Sequence, residues 1–182
     1  EERGFEKTTP LLDRFFMDDY VELFDRMEEA MHRLLDEDTP ENRVRAYTHY
    51  HLTIEGILAQ TGYYGFHHNF SGDVEEFPHL PGLVEGFSQI RSDEGRHVGF
   101  GMAKIKEHLT EDGVSVDVLH EELGELVPLT QGIVVDSSEP ERDGVGQEEL
   151  TEYAAQKHTE RMQQITTAGE DIPEVDELVR LS

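Results

Sequence analysis

Two stretches decide the fold: ENRVRAYTHYHLTIEGILAQTGYYGF at residues 41–66 and LPGLVEGFSQIRSDEGRHVGFG at residues 80–101. The first is opened by Thr39-Pro40, a capping hydroxyl followed by proline at the first helical position, where its missing N–H is not needed. The second starts at Pro81. The spacing predicts two long helices, over 40–64 and 81–108, joined by the polar loop HHNFSGDVEEFPHL with its Gly72 and Pro78.

Outward from this pair the pattern stays helical. Upstream, Leu12, Phe15, Phe16, Tyr20, Leu23, Phe24, Met27, Met31 and Leu35 recur at spacings of three and four, the mark of an amphipathic helix. Thr9-Pro10 reads as its start and Asp18-Asp19 as a place where it breaks. Downstream a fourth helix is expected over 114–135, bent or interrupted at Pro128, then a loop over 136–146 and a last helix over 147–167. With no strand pair and no short repeat, the expected class is all-α. One helical-bundle domain would cover residues 1–168, followed by a loose C-terminal tail over 169–182.

Composition narrows the function classes. Asp and Glu total 41 against 15 Lys and Arg, a net charge of −26, and the lysines are only Lys7, Lys104, Lys106 and Lys157. Self-repulsion at this charge is screened at molar salt, where the Debye length falls to roughly 3 Å. Acidic residues spread along the whole chain therefore read as adaptation to a high-salt cytoplasm, and the apolar periodicity argues against a disordered acidic protein. No basic stripe serves phosphates, so nucleic acid is not an expected partner. No apolar run is long enough for a membrane span. EERGFEKTT lacks the features of a secretory signal, and the absence of cysteine excludes disulfides and Cys-type zinc sites.

Glu-x-x-His places a carboxylate and an imidazole on one helix face. Ferritin-like dinuclear proteins use one Glu from each of two helices and Glu-x-x-His from each of two others. Three matches occur: Glu29/His32, Glu76/His79 and Glu94/His97. Glu76/His79 encloses Pro78 in the predicted loop. Glu29/His32 would have to meet Glu55, but counting back from the intervening turn puts the two at heights differing by roughly 18 Å. The same count separates Glu55 from Glu94/His97 by only about 5 Å. Gly56 and Gly95 each follow a candidate ligand, with Gly99 and Gly101 a turn later. Interior helical glycine costs about 1 kcal/mol relative to alanine, so close packing around a site would justify them. Ordinary helix crossing at small residues would also produce them, and from the residues alone both readings stay open. His67-His68 and His49/His51 read as exposed polarity.

The blocks THYHLTIEG, TGYYGF, PGLVEG and DEGRHVGFG resemble the ligand-binding manganese/iron oxidases, a branch of the ribonucleotide-reductase-small-subunit-like superfamily. The likeness extends back through LFDRMEEAMHRLL and, more weakly, forward to YAAQKHTERM. It implies a ferritin-like bundle with metal ligands at Glu55, Glu94 and His97. Tyr50 would take the place of the family's tyrosine that forms an ether cross-link to a valine, and Tyr63 that of a tyrosine close to the site. Hydrogen-bonded packing is the competing reading of both tyrosines.

The match covers roughly the C-terminal two-thirds of the family's length, so the first Glu, the first Glu-x-x-His and the cross-linking valine have no counterpart in this sequence. Only about half the ligands of a dinuclear Fe/Fe or Mn/Fe centre are expected here. The resemblance further implies dioxygen as co-substrate, a long-chain fatty acid ligand and a homodimer. Two alternatives stand beside this oxidase reading. One is the radical-generating subunit of ribonucleotide reductase, disfavoured because EDIPEVDELVRLS has neither Tyr nor Trp. The other is a metal-free helical binding or assembly module.

Overall fold

A computed structural model describes residues 16–138, 144–167, 169 and 171–181. The Thr9-Pro10 start, Leu12 and Phe15 fall outside these residues. All regular elements among the described residues are helical. Helix α1 spans Asp18–Asp36, and Met17 before it is extended, so the helix starts at Asp18-Asp19.

Helix α2 runs unbroken over residues 40–70 in three windings: α-helical Pro40–Tyr47, π-helical Thr48–Ala59 and α-helical Gln60–Phe70. Thr39 caps it, its Oγ1 accepting from the Asn42 N–H at 3.2 Å. The helix outlasts the predicted end at 64 because tertiary contacts use its last turns. Gly65 packs on Leu150, and Asn69 Oδ1 accepts from the Val145 N–H at 3.0 Å. Gly72, at a φ of 100°, then turns the chain into the loop.

Helix α3 spans Pro81–Thr110, α4 Val116–Asp136 and α5 Gln147–Thr166. Pro128 lies inside α4 without interrupting it. The main core joins Val44 and Leu52 of α2, Val98, Met102 and Ile105 of α3, Leu119 and Leu123 of α4 and Ile165 of α5. A smaller cluster of Leu23, Leu126 and Ile133 seats α1 on α4.

Residues 171–181 are packed rather than loose. Val175–Leu178 forms a short helix, α6, and Leu178 is 2% exposed within the main core. Val175, Leu178 and Val179 share one face at spacings of three and four, and that face is what α3 covers. Arg161, buried on α5, donates to the Leu178 carbonyl at 2.9 Å and fixes the turn from behind.

Candidate metal centre

α2 and α3 make the most extensive helix contact among the described residues, and their facing turns bring Glu55, Glu94 and His97 together. One ligand atom from each lies within 4.8 Å of the others. His97 Nδ1 is 3.2 Å from Glu55 Oε1 and 3.3 Å from Glu94 Oε2. Glu55 is 5% exposed, Glu94 half-buried, and the His97 side chain 49% exposed. The cluster therefore has a protein wall behind Glu55 and an open side at His97.

The π winding shapes this wall. In an α-helix, residues five apart point about 140° away from each other. Hydrogen bonds from i to i+5 bring them onto one side instead, and such windings gather at functional sites. Tyr50 and Glu55 are so related, and the Glu55 charge, ahead of burial and Glu94, raises the Tyr50 phenol above its ordinary pKa. Tyr63 lies half-buried on the following α-helical turn against Phe87, at 5.8 Å between ring centroids. Burial, then the charges of Glu94 and Glu55, raise its pKa too. Both tyrosines thus sit in the field of the carboxylates with their hydroxyls kept protonated.

Charge is shared unevenly. Burial pushes the Glu55 carboxyl up, but the hydrogen bond and charge of His51, with contacts to Glu94 and His97, outweigh it and hold Glu55 below its ordinary value. Glu94 is raised by burial and by the charge of Glu55. At His97 burial lowers the imidazole pKa, yet Glu55 and Glu94 together raise it. Two carboxylates crowded beside one imidazole form a hard oxygen and nitrogen donor set that favours a divalent cation such as iron or manganese. The three donors fit one half of the six that a paired Glu and Glu-x-x-His site uses.

His49 and His51 are not exposed polarity. His49 is buried on the α4 side, where its Nε2 is 2.7 Å from Glu122 Oε2 and Arg45 pairs with the same carboxylate. His51 Nδ1 lies 2.7 Å from Glu55 Oε2. The i, i+4 spacing of His51 and Glu55 was the available signal. The glycines also have definite roles. A Cβ on Gly101 would overlap the Cβ and ring of His51, and one on Gly95 would overlap the methyls of Val179 and Val175. Gly101 thus admits His51 to the site, while Gly95 admits α6. The other two Glu-x-x-His pairs stay apart from the cluster: Glu29 and His32 are exposed on α1, and Glu76/His79 lies in the loop.

The fold and cluster define a class: a ferritin-like helical bundle of the ribonucleotide-reductase-small-subunit type. Among solved structures the chain is similar to R2-like ligand-binding oxidases. One, a valine-to-leucine variant with an aerobically reconstituted Mn/Fe cofactor, shares 30% identity at a TM-score of 0.73, over 85% of this chain and 55% of that one. Another, a glycine-to-leucine variant with a non-activated Mn/Mn cofactor, shares 30% at a TM-score of 0.74 over the same fractions. A tyrosine-to-phenylalanine variant with an aerobically reconstituted Mn/Fe cofactor shares 29% at 0.71. The resemblance read from the sequence blocks is borne out. The chain spans 55% of the length of these structures, less than the two-thirds expected. No family model matches the chain.

Proposed function

We propose that Glu55, Glu94 and His97 are metal ligands of a dinuclear Fe/Fe or Mn/Fe centre in an oxidase of the ribonucleotide-reductase-small-subunit-like class. The observation that carries this reading is the convergence of two carboxylates and an imidazole from consecutive helices. When bound, such a metal pair supplies dioxygen activation. Glu55 and Glu94 would neutralise cationic charge and adjust their binding mode as that charge changes. His97 would offer neutral Nδ1, the nitrogen already facing both carboxylates. Tyr50, on the same side of the π winding as Glu55, would be the hydrogen donor, and Tyr63 a second phenol in the field of the two carboxylates.

A long-chain fatty acid is the proposed ligand. An apolar cavity of about 330 Å³, lined by Leu58, Phe66, Phe70, Phe77, Val134 and Leu150, begins one turn beyond Glu55 and suits an alkyl chain. A homodimer and a high-salt cytoplasm complete the proposal, the latter resting on the net charge of −26. No helix among the described residues is long and apolar enough to cross a membrane.

Metal analysis of the purified chain beside Glu94→Ala tests the site. Iron or manganese retained by the wild type and lost from the variant is expected. Equal metal in both removes the site and leaves a metal-free helical module.

A further inference from the structure

We propose that His51 is a positioning residue for Glu55: by holding Oε2 it leaves Oε1 to face Glu94 and His97. The consequence for metal rests on the reading above, whereas the hydrogen bond itself does not.

The two oxygens of Glu55 have different partners, His51 Nδ1 at 2.7 Å from Oε2 and His97 Nδ1 at 3.2 Å from Oε1. An ionised carboxylate only accepts, so His51 Nδ1 must carry the proton it donates. The ring cannot easily turn away. It meets Tyr50 edge-on at 5.0 Å and 73°, Phe100 at 5.7 Å and 79°, and Tyr47 at 5.8 Å and 33° between centroids and planes. Its Cβ occupies the space that Gly101 leaves vacant on α3. A donor clamped on four sides fixes one Glu55 rotamer, and freezing a ligand before the cation arrives removes an ordering cost from binding. The clamp joins both ligand helices, since Tyr47 and Tyr50 belong to α2 and Phe100 and Gly101 to α3.

The test uses the full chain with His51→Phe, which keeps a ring and removes the donor, and His51→Asn, whose amide nitrogen replaces Nδ1. In Mn(II) titrations followed by electron paramagnetic resonance, His51→Phe is expected to weaken binding about 10–100-fold, and His51→Asn to recover most of it. Equal affinity in wild type and His51→Phe, or equal weakness in both variants, overturns the proposal in favour of plain packing. If the wild-type chain takes up no Mn(II), the metal reading fails and nitrogen NMR of the metal-free, histidine-labelled chain decides the positioning. A His51 held as the Nδ1–H tautomer in the wild type but not in Glu55→Leu, which has no acceptor, upholds it. A tautomer mixture unaffected by Glu55→Leu refutes it.

Discussion

His97 Nδ1 lies 3.2 Å from Glu55 Oε1, although 42 residues separate them, and 3.3 Å from Glu94 Oε2 one turn back on its own helix. A single imidazole thus bridges carboxylates from two helices. Without a cation the contact relieves a repulsion between Glu55 and Glu94, and the relief is incomplete: burial and the Glu55 charge still raise Glu94.

That residual repulsion predicts a stability gain from removing the charge. An acid whose folded pKa is raised loses stability as pH climbs from the ordinary value through the folded one, and the loss persists at neutral pH. Glu94→Gln should therefore raise the metal-free Tm at pH 7 by roughly 2–4 °C, the shift that about 1 kcal/mol makes at this size. The gap should close in acid, below the ordinary carboxylate range. Added Mn(II) should reverse the order, because only the wild type gains binding energy. Thermal melts with and without the ion check both halves.

The opposite sign applies at Glu122. Burial pushes its carboxyl up, but hydrogen bonds from His49 and Arg45 hold it below the ordinary value. Its contribution is present above the unfolded pKa, about 4.3, and disappears as pH falls through the folded value. Glu122→Gln should cost about 1–3 kcal/mol at pH 7 by leaving Arg45 and His49 underpaired. Urea titrations at pH 7 and pH 3 should show that cost shrinking in acid.

Gly101 and Gly95 should differ in tolerance. At Gly101 a methyl meets the Cβ and ring of His51, close to the α2 backbone, whereas at Gly95 it meets only the outer methyls of Val179 and Val175 at such short range. Alanine at either position gains about 1 kcal/mol of helix propensity. Gly101→Ala should still lose about 1–3 kcal/mol from overpacking. Gly95→Ala should lose less, and Val179→Ala should rescue it. Chemical denaturation of the single and double variants measures the difference.

Leu178 should behave as a core residue despite its place near the end of the sequence. Leu178→Ala should cost about 2–5 kcal/mol and expose the chain to proteolysis around residues 171–174. A loss under 1 kcal/mol would contradict the packing of α6 on α3.

Salt should stabilise this chain strongly. Raising KCl from 0.1 to 1 M shortens the Debye length from about 10 to about 3 Å and screens the repulsion behind a net charge of −26. A Tm that does not rise with KCl would remove the high-salt reading.

The sequence by itself determined most of the helices and which three side chains, Glu55, Glu94 and His97, converge. Proline and threonine at residues 39–40, proline at 81, and apolar spacings of three and four set the elements by local rules. Counting residues from the turn then sufficed to pair Glu55 with Glu94 and His97 and to reject Glu29/His32. Tertiary structure alone decided the remainder. Whether Tyr50 shares a side with Glu55 depends on a π winding that no local pattern announces. Whether His51 faces solvent or Glu55 depends on the space left by Gly101, fifty residues away. The tail carried its apolar face in VDELVRL, but only the surface of α3 around Gly95 supplies something for that face to cover. Winding, burial and side-chain direction are settled by contacts between distant segments, and spacing along one segment does not encode them.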